Sequence, residues 1–258
     1  MTVTRAGDVD YGKFGAGYAF RRRADPRIAV HVHQALGNAR IVLNVGAGAG
    51  SYEPEDREVI AVEPSEAMRV QRPKHLAQAI DAIAEQLPLA DQSVDASMAL
   101  VTVHQWRDLD KGLAELRRVT RGPIVVMTFD GDALDLYWLA QYVPELIAVE
   151  RGRYPKMQKL CDALGPSTEV QVVPVPIDCT DGFTEAFYAR PEAFLDPAVR
   201  RSQSAWSFVP ESVQSRFVKT LADDLKSGAW DRKYGEWRTR PHFEGSLRLI
   251  VGRPVGCC

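Results

Sequence analysis

The sequence has no run of apolar residues approaching the ~18 that a membrane-crossing helix needs, and Met1 to Asp10 holds no apolar core of the kind a secretion signal carries. No basic run exceeds Arg21-Arg22-Arg23, and the formal net charge of the 258 residues is −2. Without a basic stripe there is no electrostatic footprint for DNA or RNA. Only four cysteines are present: Cys161 and Cys179 stand alone, and Cys257-Cys258 are the last two residues. None has metal-ligand spacing, so no metal is expected, and a chain of this size needs no disulfide framework. A terminal Cys-Cys serves as a lipidation signal in some proteins; a plain tail is the simpler reading here. Lysine is scarce too, eight against twenty-four arginines, a bias that says nothing about mechanism. With no internal repeat, low-complexity segment or flexible linker, the chain reads as one folding unit. It is expected in the cytoplasm, with neither nucleic acid nor membrane as partner.

What is present suits a globular α/β protein: 45% apolar and 26% charged residues, enough to bury a core. Asp25-Pro26 opens a helix, Ile28, Val32 and Leu36 recur at helical spacing, and Gly37 ends it. Ile41 to Val45 follows as a short apolar run of the buried-strand type. Further runs come at Val59 to Val62, Val94 to Val101 and Ile124 to Met127, with a weak candidate strand at Ala77 to Ile80. A helical stripe of Leu109, Leu113, Leu116 and Val119 separates the later two. Alternation of this kind predicts βαβ units and a doubly wound sheet. Beyond Phe129 the pattern changes: Leu134 to Leu164 reads as helical, Val170 to Val175 as a strand, Thr184 to Tyr234 as mostly helical, and Leu247 to Val251 as the last strand. A helical insertion before the final strand is expected.

The first strand ends in Gly46-Ala47-Gly48-Ala49-Gly50, where a ligand can lie against bare backbone. Dinucleotide enzymes use a similar turn, but Ser51 stands where their third glycine belongs. Glu63, at the end of the second run, is placed to accept from both hydroxyls of a ribose, which fits either kind of adenosyl cofactor. Only Ser51 to Glu58, with Pro54 inside, separates the glycines from that second strand, leaving room for about two helical turns at most. A pyrophosphate needs the end of a full helix; a phosphate-free adenosyl sulfonium does not. The spacing favours the methyl donor.

These segments resemble class I methyltransferases, in particular the UbiE-like or methyltransferase type 11 branch. Val42 to Gly50 is similar to the first motif of that family and Val62-Glu63-Pro64-Ser65 to its acidic second motif. Ala84 to Asp95 is similar to the adenine-side segment and fourth strand, and His104-Gln105-Trp106, Leu113 to Val119 and the strand at Ile124 continue in register. The match spans roughly Tyr11 to Phe129, and Arg190 to Pro197 resembles the cap of some small-molecule members. The resemblance implies a Rossmann-like, doubly wound, mostly parallel seven-stranded sheet with a helical cap before the last strand. It divides the single domain into 1–37 (N-terminal segment and helix), 38–130 (cofactor-binding core) and 131–258 (C-terminal strands and substrate cap). It implies S-adenosylmethionine as cofactor, S-adenosylhomocysteine as product and a small molecule as acceptor. Gly46, Ala47 and Gly48 would contact the methionine part, Glu63 with Pro64 the ribose, Ile83, Ala84 and Glu85 the adenine, and Leu100 and Val101 the sulfonium. Tyr18 and Arg22 would close over the site, Arg22 pairing with the cofactor carboxylate. Asn44 departs from the family's usual acid, Ile83 from a common Asp, and the segment after Gly50 is short.

Methyl transfer from a sulfonium needs alignment and water exclusion, and a general base only where the acceptor starts protonated. His104, after the fourth strand, reads either as that base or as a packing residue. His31, His33 and His75 read as surface or packing residues, and His242 as a minor candidate. Trp106, Trp206, Phe208, Trp230, Tyr234 and Trp237 read mainly as core of the cap. Two other readings stay open: a protein of this fold that binds the donor without transferring methyl, and a nicotinamide oxidoreductase.

Overall fold

The computed structural model describes residues 22–253; Tyr18 and Cys257-Cys258 lie outside the described residues. Helix α1 (Pro26–Ala35) begins as its sequence dictates. The Asp25 carboxylate accepts the Arg27 N–H at 3.0 Å, and Pro26 fills the first turn. Four apolar runs become β1 (Ile41–Val45), β2 (Glu58–Val62), β3 (Ala96–Leu100) and β4 (Ile124–Phe129). Short α2 (Glu66–Arg69) follows β2, and α3 (Leu109–Val119) joins β3 to β4. Next come α4 (Leu139–Tyr142), α5 (Pro144–Arg153) and α6 (Met157–Leu164), then β5 (Glu169–Val172) and β6 (Val175–Pro176). The cap is built from 3₁₀ turns with α7 (Pro197–Arg201), α8 (Glu211–Ser227) and α9 (Ala229–Tyr234), before β7 (His242–Phe243) and β8 (Leu247–Gly252) return the chain.

The main sheet runs β2-β1-β3-β4-β8-β5. The first four strands are parallel, and β8 is antiparallel to both of its neighbours. Successive strand residues face opposite sides, which divides the core in two. Val42, Met98, Val125, Met127 and Leu249 pack with α1 and the aromatic cap, whereas Leu43, Val45, Ala99, Val126 and Ile250 pack with α3 and α6.

Three expectations are corrected. Among the described residues the sheet has six strands rather than seven. Ala77 to Ile80 contributes a single parallel bridge from Ile80 to Val62, because Ile80 is the segment's one large apolar side chain and gives a ladder little to pack. The run Val170 to Val175 is not one strand: β5 pairs with β8, and Val175 pairs with Phe243 in a separate ribbon. Pro174, which lacks the ladder N–H, interrupts it. Among the described residues, no helix is long and apolar enough to cross a membrane.

The cap is held by aromatic packing. Trp138 is buried with its ring 5.5 Å from Trp230 and 5.9 Å from Phe194, both near-perpendicular, and its N–H donates to the Tyr188 carbonyl at 2.9 Å. Trp138→Ala is expected to destabilise the fold by about 3–5 kcal/mol, read as a lowered denaturant midpoint; an unchanged midpoint would show that the cap is not packed through this ring.

Candidate active site

The turn after β1 depends on backbone only glycine adopts readily. Gly46, Gly48 and Gly50 have φ of +69°, +50° and +95°. The N–H groups of Gly46 and Ala47 both donate to the Val62 carbonyl, at 2.9 and 3.0 Å, pulling the turn onto the end of β2. A Cβ on Gly46 would collide with the Thr102 side chain, so the turn is also pressed against the end of β3. Glu63 follows directly from β2 and is 8% exposed. Its carboxylate accepts from the Gly48 N–H and the Ser65 N–H, each at 2.8 Å. Burial pushes the carboxyl above its usual range, while those two N–H groups pull it back.

Behind the turn lies an ion pair that the sequence reading missed. Asn44 Nδ2 donates to Glu53 at 2.8 Å, and Arg72 Nη2 donates to both Glu53 oxygens at 3.0 and 2.9 Å. Arg72 Nη1 reaches the Gly48 carbonyl at 3.3 Å. The Glu53 and Arg72 side chains are 0% and 4% exposed. Asn44 replaces the family's usual acid, and a carboxylate returns from the short segment after Gly50. An acid beside a proline in so short a connection was the available signal.

The other anticipated cofactor residues are distributed around this turn. Ile83 is 38% exposed, Ala84 is buried and Pro64 is half-buried. The buried Glu85 carboxylate accepts the Asp108 N–H at 3.0 Å, beside the start of α3. Leu100 ends β3, and Val101 takes φ of +54° with its N–H donating to the Met127 carbonyl at 2.7 Å. For a β-branched residue that conformation is strained by about 1–3 kcal/mol, and such strain concentrates at functional sites. Arg22 Nε donates to Asp181 at 2.5 Å, and Asp181 also accepts from the Tyr52 hydroxyl at 2.8 Å. Arg22 thus ties the cap to the glycine turn.

A pocket opens beside Val101 at the carboxyl ends of β3 and β4, with about 40 Å³ of free space inside it. His104, in a 3₁₀ turn at Val103–Gln105, lines it and meets the Tyr154 ring edge-on at 5.2 Å. Phe129, Tyr154 and Phe183 form its apolar wall. Glu150, Thr184, Glu185 and Gln203 make it polar inside. His33 bonds the Tyr52 carbonyl at 3.0 Å, and His75 and His242 are exposed away from the pocket lining. Trp206, Trp230 and Tyr234 are buried in the core, while Phe208 is exposed.

Glu150 was also missed. On α5 it shares the buried stripe with Leu146 and Ile147, the i, i+3, i+4 pattern that places a side chain inward. A lone carboxylate on an apolar stripe was the signal. Burial raises it to about 7, against the smaller opposing effect of the Thr184 hydroxyl.

Residues 43–123 match the family model for a methyltransferase domain. The fold is that of the Rossmann-like class I methyltransferases. A crystal structure from Anabaena variabilis, described as a methyltransferase from an antibiotic biosynthesis pathway, shares 29% identity with a TM-score of 0.83, covering 90% of this chain and 98% of that one. Two others share the methyltransferase fold. One is a S-adenosylmethionine-dependent methyltransferase from Thermotoga maritima, with 17% identity, TM-score 0.55 and coverage of 94% and 95%. The other is geranyl diphosphate C-methyltransferase from Streptomyces coelicolor, with 14% identity, TM-score 0.51 and coverage of 88% and 78%. None of the curated proteins compared matches this chain.

Two outcomes follow for stability. Arg72→Met leaves the Glu53 carboxylate buried without its cation and is expected to cost about 3–5 kcal/mol, with an unfolding midpoint close to wild type as the contrary result. Glu150 binds its proton more tightly folded than unfolded, so its contribution is full below pH 4.5 and is lost as pH rises to about 7. Glu150→Gln should therefore match wild type in the acid range and exceed it by up to about 3 kcal/mol above pH 7, measured by denaturant titrations across pH. A difference independent of pH would contradict that reading.

Proposed function

We propose that the protein binds S-adenosylmethionine in the crevice between β1 and β3 and transfers its methyl group to a small molecule held in the adjoining pocket. The observation that carries this is the placement of the glycine turn, Glu63 and Val101 at one topological switch point. The chain leaves β1 for β2 on one side and returns as β3 on the other, and ligands of open α/β sheets lie outside the strand ends at such a point. A buried carboxylate 2.8 Å from the Gly48 N–H suits a ribose diol, because both its oxygens accept and Gly48 beside it has no Cβ. The exposed Ile83 side chain offers an apolar surface for adenine.

When bound, the cofactor supplies a methyl made electrophilic by its sulfonium. The chain's own task is then alignment and exclusion of water. Gly46, Ala47 and Gly48 hold one end through backbone and Glu63 with Pro64 the middle. Ile83 and Ala84 flank the base, where the Glu85 carboxylate steadies the α3 start instead of reaching outward. Leu100 and Val101 form the wall facing the acceptor. His104, in the pocket wall, is the residue placed to exchange a proton with an acceptor near the donor. Arg22, with its Nε on Asp181, closes the cap over the glycine turn. The Anabaena relative's antibiotic pathway supports a small-molecule acceptor, and a net charge of −2 gives nothing to attract nucleic acid.

Calorimetry with S-adenosylhomocysteine tests the donor site. Binding is expected, and Glu63→Gln should weaken it at least tenfold through loss of charge-assisted hydrogen bonds. Because burial raises the Glu63 carboxyl, wild-type affinity should fall on mild acidification, before an ordinary carboxylate would protonate. NADH binding with no response to S-adenosylhomocysteine would refute the assignment; donor binding without methyl transfer to any acceptor would leave a binding protein of this fold.

A further inference from the structure

The polar interior of the pocket carries a donor and acceptor pattern that specifies what it holds. The Thr184 hydroxyl lies 3.1 Å from Glu150 Oε1 and 3.1 Å from Gln203 Oε1. Trp206 Nε1 donates to that same Gln203 oxygen at 3.1 Å, which fixes the amide with its Nε2 pointing away. Gln203 is 5% exposed, and its Nε2 has no hydrogen-bond partner among the described residues. An unused buried donor of this kind costs about 1–3 kcal/mol unless something meets it.

One hydroxyl carries one proton, so Thr184 can donate to Glu150 or to Gln203 but not to both. With Glu150 ionised, the cluster is therefore short of a donor at Glu150, and in either state it is short of an acceptor at Gln203 Nε2. A ligand hydroxyl carries both a proton to give and lone pairs to accept. An ammonium supplies only donors and leaves Nε2 unmet; a carboxylate supplies only acceptors and would face Glu150. The wall adds the second constraint. Phe129 sits 5.3 Å from Tyr154 and 5.5 Å from Phe183, ring centroid to centroid, a tilted aromatic surface suited to another ring.

We propose that the pocket accepts a phenol, its O–H donating to Glu150 and its oxygen accepting from Gln203 Nε2, with the ring against Phe129, Tyr154 and Phe183. This rests on the methyl-transfer reading for its role as acceptor site, but the binding itself is measured independently of any donor. With Glu150 raised to about 7, the carboxylate that accepts the phenol proton prevails above neutral pH, where phenol and ether are compared.

The test is a binding panel on the whole protein, read by calorimetry or ligand-observed NMR, with 4-methylphenol, 4-methylanisole and benzylamine as probes. 4-Methylphenol is expected to bind at least tenfold tighter than its methyl ether, which lacks the proton, and tighter than the ammonium. Gln203→Leu should lower that affinity about tenfold, and Glu150→Gln, which keeps an acceptor oxygen, should stay within a few-fold of wild type. Melting curves check that each variant folds, and if Gln203→Leu does not, the wild-type panel decides alone. Equal binding of the ether, preference for benzylamine, or a folded Gln203→Leu with unchanged affinity would each overturn the proposal. The panel is run with and without S-adenosylhomocysteine, whose own binding is titrated separately, so a failed donor site and a failed phenol pocket give different results.

Discussion

The two N–H groups of Gly46 and Ala47 converge on a single carbonyl, that of Val62, and most of the site's geometry descends from that convergence. A chain leaving β1 in ordinary extended conformation would run past the end of β2. Positive φ at Gly46 turns it back so that both donors reach the neighbouring strand, and the close approach of Thr102 leaves no volume for a side chain there. The ends of β1, β2 and β3 are thereby fixed relative to one another by one residue. Glu63 inherits its position from this, since it is the residue after the Val62 carbonyl and can lie against Gly48 only while the turn is folded over it.

A turn of this kind is thin and exposes backbone, so it needs support from beneath. Asn44, Glu53 and Arg72 provide it through a buried network that ends on the Gly48 carbonyl. Buried ion pairs seldom add net stability over apolar packing, because desolvation offsets most of the attraction. Their advantage here is direction. A guanidinium fork bonds a carboxylate with one nitrogen and a loop carbonyl with another, holding the peptide plane in one orientation, which apolar packing cannot do. The short segment from Ser51 to Arg57 is what permits this, because a full helix in that connection would carry Glu53 away from Asn44.

The pattern of strand and helix through Phe129 was readable because period-two burial and helical spacing write themselves directly into side-chain type. Leu43 and Val42 differ by one position and enter different halves of the core. The seventh strand was overestimated because a family pattern supplied it where Ala77-Gln78-Ala79 could not. The glycines and Glu63 were legible as a pair because they terminate adjacent strands. Glu53, Arg72, Thr184 and Gln203 were not, since each acquires its function from contacts between segments far apart in the chain. Glu150 and Thr184 are 34 residues apart, and no local periodicity encodes that meeting. Glu150 left a trace as a charge on an apolar stripe, and Glu53 as an acid beside a proline in a short connection.

The same distinction separates the two halves of the site. The glycine-turn side is made of backbone and one carboxylate, all from strand ends whose positions the sheet dictates. The pocket's polar cluster is made of side chains from α5, the turn at Thr184, and Gln203, brought together by the packing of the cap. Val101 stands between them in a strained conformation, held by its bond to the Met127 carbonyl on β4. The pocket's polar cluster can change with the cap while the glycine turn stays intact, because no residue of the Glu150, Thr184 and Gln203 cluster belongs to a strand.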